Sequence, residues 1–498
     1  MRSLLLALLP ALLLAMSWAP LSADTDQPSA SVAPQQEKEV VVQFYETIKT
    51  GTPQQVAEGL DKHPWLLNNT RHNSYTPLAY AALVGRLDNL KLLHERGAEL
   101  DPPQSFPGSL VAAVTGGHTE IIDYLVGQGL DINQPDGLSI TPVQQAVAYK
   151  KLDILKHLVS KGAKLYDGKE NTTTLLHTAV NLNDPQIVQY LLDAEAIPVD
   201  AKDAEGQTPL FIASKTKNNS CFAPLIAAKA DINTRKDNGD PLLFMAMNNG
   251  NSPMVEALLK QGVDVNVTLN EGSNTLHAAA AYGYLEVAKK AVEKKVPINQ
   301  YNSQSATPLF LAADRKQPEV GKFLVSKGAD VNARNKEGIT ALHFAANNGL
   351  TALIKTLLDK KVDINIRDNH GFTPMHYASN MGQKEVIELL ASRKADLNSK
   401  SNNGTTALFL ASERQTPEII ELLVAKGADI KLTDNNGNPA LFFAIAGKRL
   451  DNVKKLVELG ADLKATNTRG QNAKDIAIIT AGTLEITTYL NSLESQGL

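Results

Sequence analysis

The stretch Gly338-Ile339-Thr340-Ala341-Leu342-His343-Phe344-Ala345-Ala346-Asn347-Asn348-Gly349 sets the reading of the whole chain. Thr340 is a natural helix N-cap, and alanine or proline suits the first helical position. Leu342, Ala345 and Ala346 then share one face of a short helix, and their small side chains let a neighbouring unit approach closely. Gly349 ends that helix. Residues 351–360 supply a second amphipathic helix through Leu353, Ile354, Leu357 and Leu358. Val362-Asp363-Ile364-Asn365-Ile366 reads as a hairpin arm, turned by Asn369-His370-Gly371. A unit this small cannot bury its apolar face alone, so it must stack on copies of itself.

Those copies are present. The opening Thr-Pro-Leu-His-x-Ala register returns as Thr76-Pro77-Leu78, Thr174-Leu175-Leu176-His177, Thr208-Pro209-Leu210-Phe211, Thr307-Pro308-Leu309-Phe310, Thr373-Pro374-Met375-His376 and Thr406-Ala407-Leu408-Phe409. Weaker copies start at Gly108, Thr141, Pro241, Asn274, Pro439 and Asn472. From Pro241 onward the step is 33 residues, and before it the step slips only to 32 or 34. Each unit closes with a turn of the Gly328-Ala329-Asp330-Val331-Asn332 kind, seen again at Gly97-Ala98-Glu99-Leu100, Gly427-Ala428-Asp429-Ile430 and Gly460-Ala461-Asp462-Leu463. Two motifs in fixed phase resemble the ankyrin repeat family over roughly residues 70–490. The resemblance implies an all-α solenoid of stacked helix-turn-helix repeats with short β-hairpin fingers, and partner proteins read along its concave groove.

Length and composition agree with a stack. The unbroken period makes the 498 residues one long solenoid rather than several globular domains. Net charge is −4, and the basic residues are spread through every repeat, which excludes a nucleic-acid stripe. A single cysteine, Cys221, permits no intramolecular disulfide and reads as a buried small apolar residue.

The first 23 residues are different in kind. Arg2 precedes an apolar run from Leu4 to Met16, and Leu21-Ser22-Ala23 offers small residues before Asp24, the layout of a cleaved secretory signal. The run is too short for a membrane-spanning helix, so no integral membrane segment is expected after cleavage. Export without disulfides points to a bacterial periplasmic protein, with secretion as the alternative. Five glycosylation sequons, among them Asn266-Val267-Thr268, are no more than an asparagine-rich repeat gives by chance and matter only if the source is eukaryotic. Residues 24–36, rich in Ser, Pro, Ala and Gln, read as a disordered linker. Residues 37–69 read as an N-terminal cap repeat whose outer face meets water, 70–464 as about 12 repeats, and 465–498 as a C-terminal cap repeat.

A longer period overlies the first. The units at Thr208, Thr307 and Thr406 carry phenylalanine in place of histidine and lack the glycine between helices; the last two pair Arg315 with Arg414, 99 residues or three repeats apart. This implies growth by duplication of a three-repeat block.

Chemistry is sparse. His177, His277, His343 and His376 hold the family position, where the resemblance implies an imidazole bonded to the threonine and backbone of its own repeat. Successive histidines, about 10 Å apart on helix-packing distances, are too far apart to share a metal ion. Motifs for a zinc hydrolase, a nucleotide loop or a serine nucleophile are missing, so no enzyme, cofactor or metal is expected. Surface remains. Carried over from the family, the positions before the inter-helix glycine are Asn248, Asn249, Tyr282, Asn347, Asn348 and Met381, with Arg315 and Arg414 in the glycine-less repeats; Tyr284 follows the glycine. The finger tips give Tyr301, Arg334 and Arg367. Tyrosine, arginine and methionine are favoured interface anchors. The expected function is a monomeric, non-enzymatic protein-binding module in the cell envelope. An inhibitor or immunity protein masking a toxin or envelope hydrolase, and a secreted host-directed effector, are the alternatives.

Overall fold

The computed structural model describes residues 33–69, 75–101, 107–215, 219–480 and 483–495. The expected signal 1–23 lies outside these residues, as do linker residues 24–32. The first described helix, Ala33–Thr50, begins four residues before the boundary at 37 that the sequence suggests.

Among the described residues the regular secondary structure is helical, and β structure is limited to isolated bridge residues, among them Thr268 with Asn274 and Thr433 with Pro439. The fingers are therefore tight turns rather than ladders. The segment expected as a hairpin arm, 362–366, is turn and loop. Within one finger Asp368 N–H donates to Phe372 O at 3.0 Å and Gly371 N–H to Asp368 O at 3.0 Å. The remaining tip groups bond sideways: Asn402 N–H donates to His370 O at 2.9 Å, and Asn402 Nδ2 to Asn369 O at 2.8 Å. Asn369 and Asn435 make the same reach to the finger before each of them. This asparagine ladder supplies the partners that a regular hairpin would have found internally.

Contacts divide the chain into two compact units, 1–238 and 239–498. The first unit holds the N-terminal pair, Ala33–Thr50 and Pro53–Lys62, then five repeat pairs opening at Pro77, Ser109, Pro142, Leu175 and Pro209. Tyr45 anchors the N-terminal pair: its ring is buried and its hydroxyl donates to Asn69 O at 2.8 Å and Tyr75 O at 2.6 Å. The unit ends in the shortest pair, Pro209–Ala213 and Phe222–Ala227, of 5 and 6 residues. Cys221 lies at the start of the latter helix, buried, and burial pushes its thiol up to about 11.

The second unit stacks eight pairs, opening at Leu242, Thr275, Pro308, Ala341, Pro374, Ala407, Ala440 and Ala473. In the decisive repeat the first helix is Ala341–Asn347 and the second Thr351–Asp359. Leu342, Ala345, Ala346, Leu353, Ile354 and Leu357 are fully buried as expected, while Leu358 is only half-buried. Burial of each such leucine stabilises the stack by about 2 kcal/mol. Gly349 takes φ +75°, and a Cβ there would stand 2.6 Å from Gln383 Oε1 of the next repeat. The glycine-less repeats solve this corner differently: Lys316 adopts φ +58°, whereas Gln415 stays extended. At the end of the stack Ile478, Ile479 and Leu484 are 64–79% exposed.

Candidate protein-binding surface

The histidines show how the repeats are joined. Thr340 N–H donates to His343 Nδ1 at 3.2 Å, which makes that nitrogen an acceptor and puts the ring proton on Nε2. Nε2 then donates to Phe372 O, in the next repeat, at 3.1 Å. His177, His277 and His376 repeat the arrangement, reaching Gln207 O, Ala306 O and Thr405 O. The bond to the own-repeat cap agrees with the sequence reading; the bond to the following repeat is a link that the motif does not announce. Burial lowers all four imidazoles below their usual range, His343 to about 4. They are neutral staples. Among the described residues no three His, Cys, Asp or Glu side chains gather as metal ligands.

The inter-helix corner holds most of the residues singled out from sequence, and the structure sorts them. Tyr282 closes the helix Thr275–Tyr282 and is 44% exposed; Met381 follows Pro374–Asn380 and is 49% exposed. Arg315 and Arg414 end their first helices with exposed side chains, each beside the carboxylate that precedes it: Arg315 Nε lies 3.2 Å from Asp314, and Arg414 Nε 3.4 Å from Glu413. Arg414 Nη1 also donates to Asn380 Oδ1 at 3.2 Å, in the repeat before.

Other candidates have structural employment. Asn348 Nδ2 donates to Ala313 O at 2.9 Å and Asp314 O at 3.0 Å, closing the last turn of the preceding repeat's first helix. Asn347 Nδ2 turns toward Asn348 Oδ1 at 3.3 Å. Tyr284 is half-buried, its hydroxyl 3.4 Å from Ser252 Oγ. Asn248 is exposed and Asn249 half-buried at the end of Leu242–Asn248. At the fingers, Tyr301 is 48% exposed, while Arg334 Nη1 donates to Arg367 O at 3.0 Å and Arg367 Nη2 to Asn402 Oδ1 at 3.4 Å. The two arginines lie in adjacent fingers and belong to the ladder as much as to the surface.

One set escaped the sequence reading. One helical turn before the corners from Arg315 onward sits a half-buried apolar side chain, Leu311, Phe344, Tyr377, Leu410 and Phe443, whereas the same position before Tyr282 is the buried Ala278. Phe344 packs edge-on against Phe310 and Phe443 stacks on Phe409, both with centroids 4.8 Å apart. The Tyr377 hydroxyl donates to Asp368 Oδ2 at 2.8 Å, tying this floor to the base of a finger. The period was visible in sequence, but every one of these positions also reads as core. The second unit therefore presents an apolar floor flanked by exposed Tyr, Met and Arg on one side and basic finger tips on the other. An open pocket of about 690 Å³ lies elsewhere, between the N-terminal helices around Val42, Phe44, Gly59 and His63.

Helix pairs with capped Thr-x-x-His openings, repeated every 33 residues and laced through their fingers, define an ankyrin-type stack. The chain belongs to the ankyrin repeat family, whose model "Ankyrin repeats (3 copies)" matches residues 143–236, 242–335, 329–401 and 394–467. Over 156 residues it is 31% identical to a transient receptor potential cation channel subfamily A member 1 homolog of Caenorhabditis elegans, covering 31% of this chain and 13% of that one. Over 155 residues it is 30% identical to an L-asparaginase of Dirofilaria immitis, covering 31% and 26%. Over 148 residues it is 30% identical to the human neurogenic locus notch homolog protein 1, covering 27% and 6%. The matches thus span about a quarter or less of those relatives' lengths. Among solved structures, the ankyrin repeat domain of Bcl-3 is 28% identical with a TM-score of 0.38, covering 42% of this chain and 95% of that one. That of human ASB11 is 24% identical with a TM-score of 0.39, covering 43% and 96%. No described helix is long and apolar enough to cross a membrane.

Proposed function

We propose that this chain is a non-enzymatic protein-binding module of the bacterial cell envelope, holding a partner along the first-helix face of its second unit. The observation that carries the reading is the half-buried apolar floor bordered by exposed Tyr282, Arg315, Met381 and Arg414. A floor of that kind supplies desolvated anchoring, and the residue types on its border are those that dominate binding energy when covered. Ankyrin repeats in general are interaction modules, which favours binding over catalysis; the envelope location rests on the signal-like composition of residues 1–23.

The test is a pull-down with residues 24–498 from envelope extracts of the source organism, against a variant with Tyr282, Arg315, Met381 and Arg414 all changed to alanine. One stoichiometric protein retained by the wild type and lost by the variant supports the reading. A retained hydrolase or toxin turns the module into an inhibitor. Equal recovery on both proteins refutes the assignment of this face, and retention only from extracts of a host cell moves the protein to a secreted effector.

A further inference from the structure

We infer that the second unit carries two equivalent half-sites, three repeats apart, and that they fit one extended acidic segment of a partner protein presenting an apolar residue beside a carboxylate twice. This inference rests on the protein-binding reading above and names the partner's chemistry.

The observation is a register line. At the first-helix corner the residues at successive 33-residue steps are Asn249, Tyr282, Arg315, Asn348, Met381 and Arg414, a polar-apolar-arginine trio followed by a second one. The two halves match in presentation as well as in order. Tyr282 and Met381 are 44% and 49% exposed, and the side chains of Arg315 and Arg414 64% and 57% exposed. Each arginine has an acidic residue immediately before it, Asp314 and Glu413, which holds the guanidinium at the corner while leaving its outer edge open. The finger tips do not keep the same 99-residue period: Tyr301 corresponds to Lys400, Arg334 to Thr433, and Thr268 to Arg367. Whatever duplicated the block, the recurrence is sharp at the helix corners and has faded at the tips, so the corners are the repeated binding element.

Charge selects the occupant. The tips 334–338, 367–371 and 400–404 carry Arg334, Lys336, Arg367 and Lys400 against exposed Glu337, with Asp368 buried under Tyr377; Asp363 and Asp396 are exposed in the turns that lead to them. The floor thus runs beside one basic margin, the finger tips, while Arg315 and Arg414 on the other side are each paired with the carboxylate before them and keep only their outer edges open. An acidic segment is attracted there and a basic one repelled. Spacing selects its shape. Three stacking steps at 8–10 Å place the half-sites roughly 24–30 Å apart. An extended strand covers that in about eight residues at about 3.3 Å each. Occupying both half-sites makes the second contact intramolecular, so affinity rises well beyond that of either half.

The experiment is selection of a phage-displayed random 16-residue peptide library on residues 24–498, followed by titration of synthetic copies of the winners. The expected winners are acidic and place an apolar residue twice, seven to nine positions apart. Arg315→Glu and Arg414→Glu each weaken them at least tenfold, whereas Lys360→Glu, on the exposed end of a second helix, leaves them unchanged. Equal thermal melting of the variants shows that the fold is intact. Winners that are not acidic, winners insensitive to both reversals, or a library that yields no binder overturn the inference. If the pull-down partner is lost with the fourfold alanine variant while no acidic peptide is selected, the binding reading stands and the two-half-site reading falls.

Discussion

Acid should loosen the stack through its histidines before it protonates its carboxylates. His343 has no exposed surface, accepts the Thr340 N–H on Nδ1 and donates to Phe372 O through Nε2. Protonation would turn the accepting nitrogen into a donor facing a donor, in a place without water. The imidazole is accordingly lowered to about 4, mainly by burial, against about 6.5 in the unfolded chain. Because the folded value is the lower one, the neutral ring's stabilisation is complete above about pH 6.5 and fades as pH falls toward 4. A difference of about 2.5 units corresponds to about 3 kcal/mol once both states are protonated, of which about 2 kcal/mol is lost by pH 5. The assay is urea unfolding at pH 7.5 and pH 5, with amide exchange read at residues 341–358, for the wild type and His343→Phe. Phenylalanine is the chain's own replacement at this position in Phe409, which is fully buried. The variant loses stability at both pH values, because Thr340 N–H and Phe372 O are left without their partner. Its loss between pH 7.5 and pH 5 should be about 2 kcal/mol smaller than that of the wild type. Equal losses in the two proteins would refute the claim that the neutral ring is what the fold requires.

Three further outcomes are expected. Asn348→Ala should destabilise the second unit by about 1–2 kcal/mol by freeing two carbonyls of the preceding helix, whereas Tyr282→Ala should change stability by less than about 0.5 kcal/mol; chemical denaturation of both separates a structural corner from a binding one. Cys221, buried with its thiol raised to about 11, should resist a thiol reagent at pH 8 until the repeat unfolds, and reaction of the native protein at the rate of a free thiol would contradict its placement. The helix Ser109–Gly116, which opens without a Thr cap and is held at Ser109 N–H by Asp101, should exchange its amides faster than Ala341–Asn347, and equal protection would count against near-additive stability along the stack.

The legibility of the candidate site follows the same division between local and crossing contacts. Tyr282, Met381, Arg315 and Arg414 were found because each ends a helix at a fixed phase of the repeat, and all four are exposed there. Asn348 occupies the same phase and was grouped with them, yet its amide is spent on the neighbour's carbonyls. The floor of Leu311, Phe344 and Tyr377 was missed because an apolar residue on the inner face gives one signal whether it is fully or half covered.

The sequence by itself determined the ankyrin stack, the two-helix unit, its threonine caps and its 33- and 99-residue periods, because each is a property of one repeat and is written again in the next. Only the tertiary structure decided that His343 Nε2 spans to Phe372, that Asn402 laces one finger to another, that the contacts divide at residue 238, and that the fingers are turns rather than ladders. Those features join residues 29 to 33 positions apart or weigh one repeat's packing against another's. A periodic pattern tells which residues face a neighbour, whereas the neighbour's carbonyls and side chains determine which bonds close.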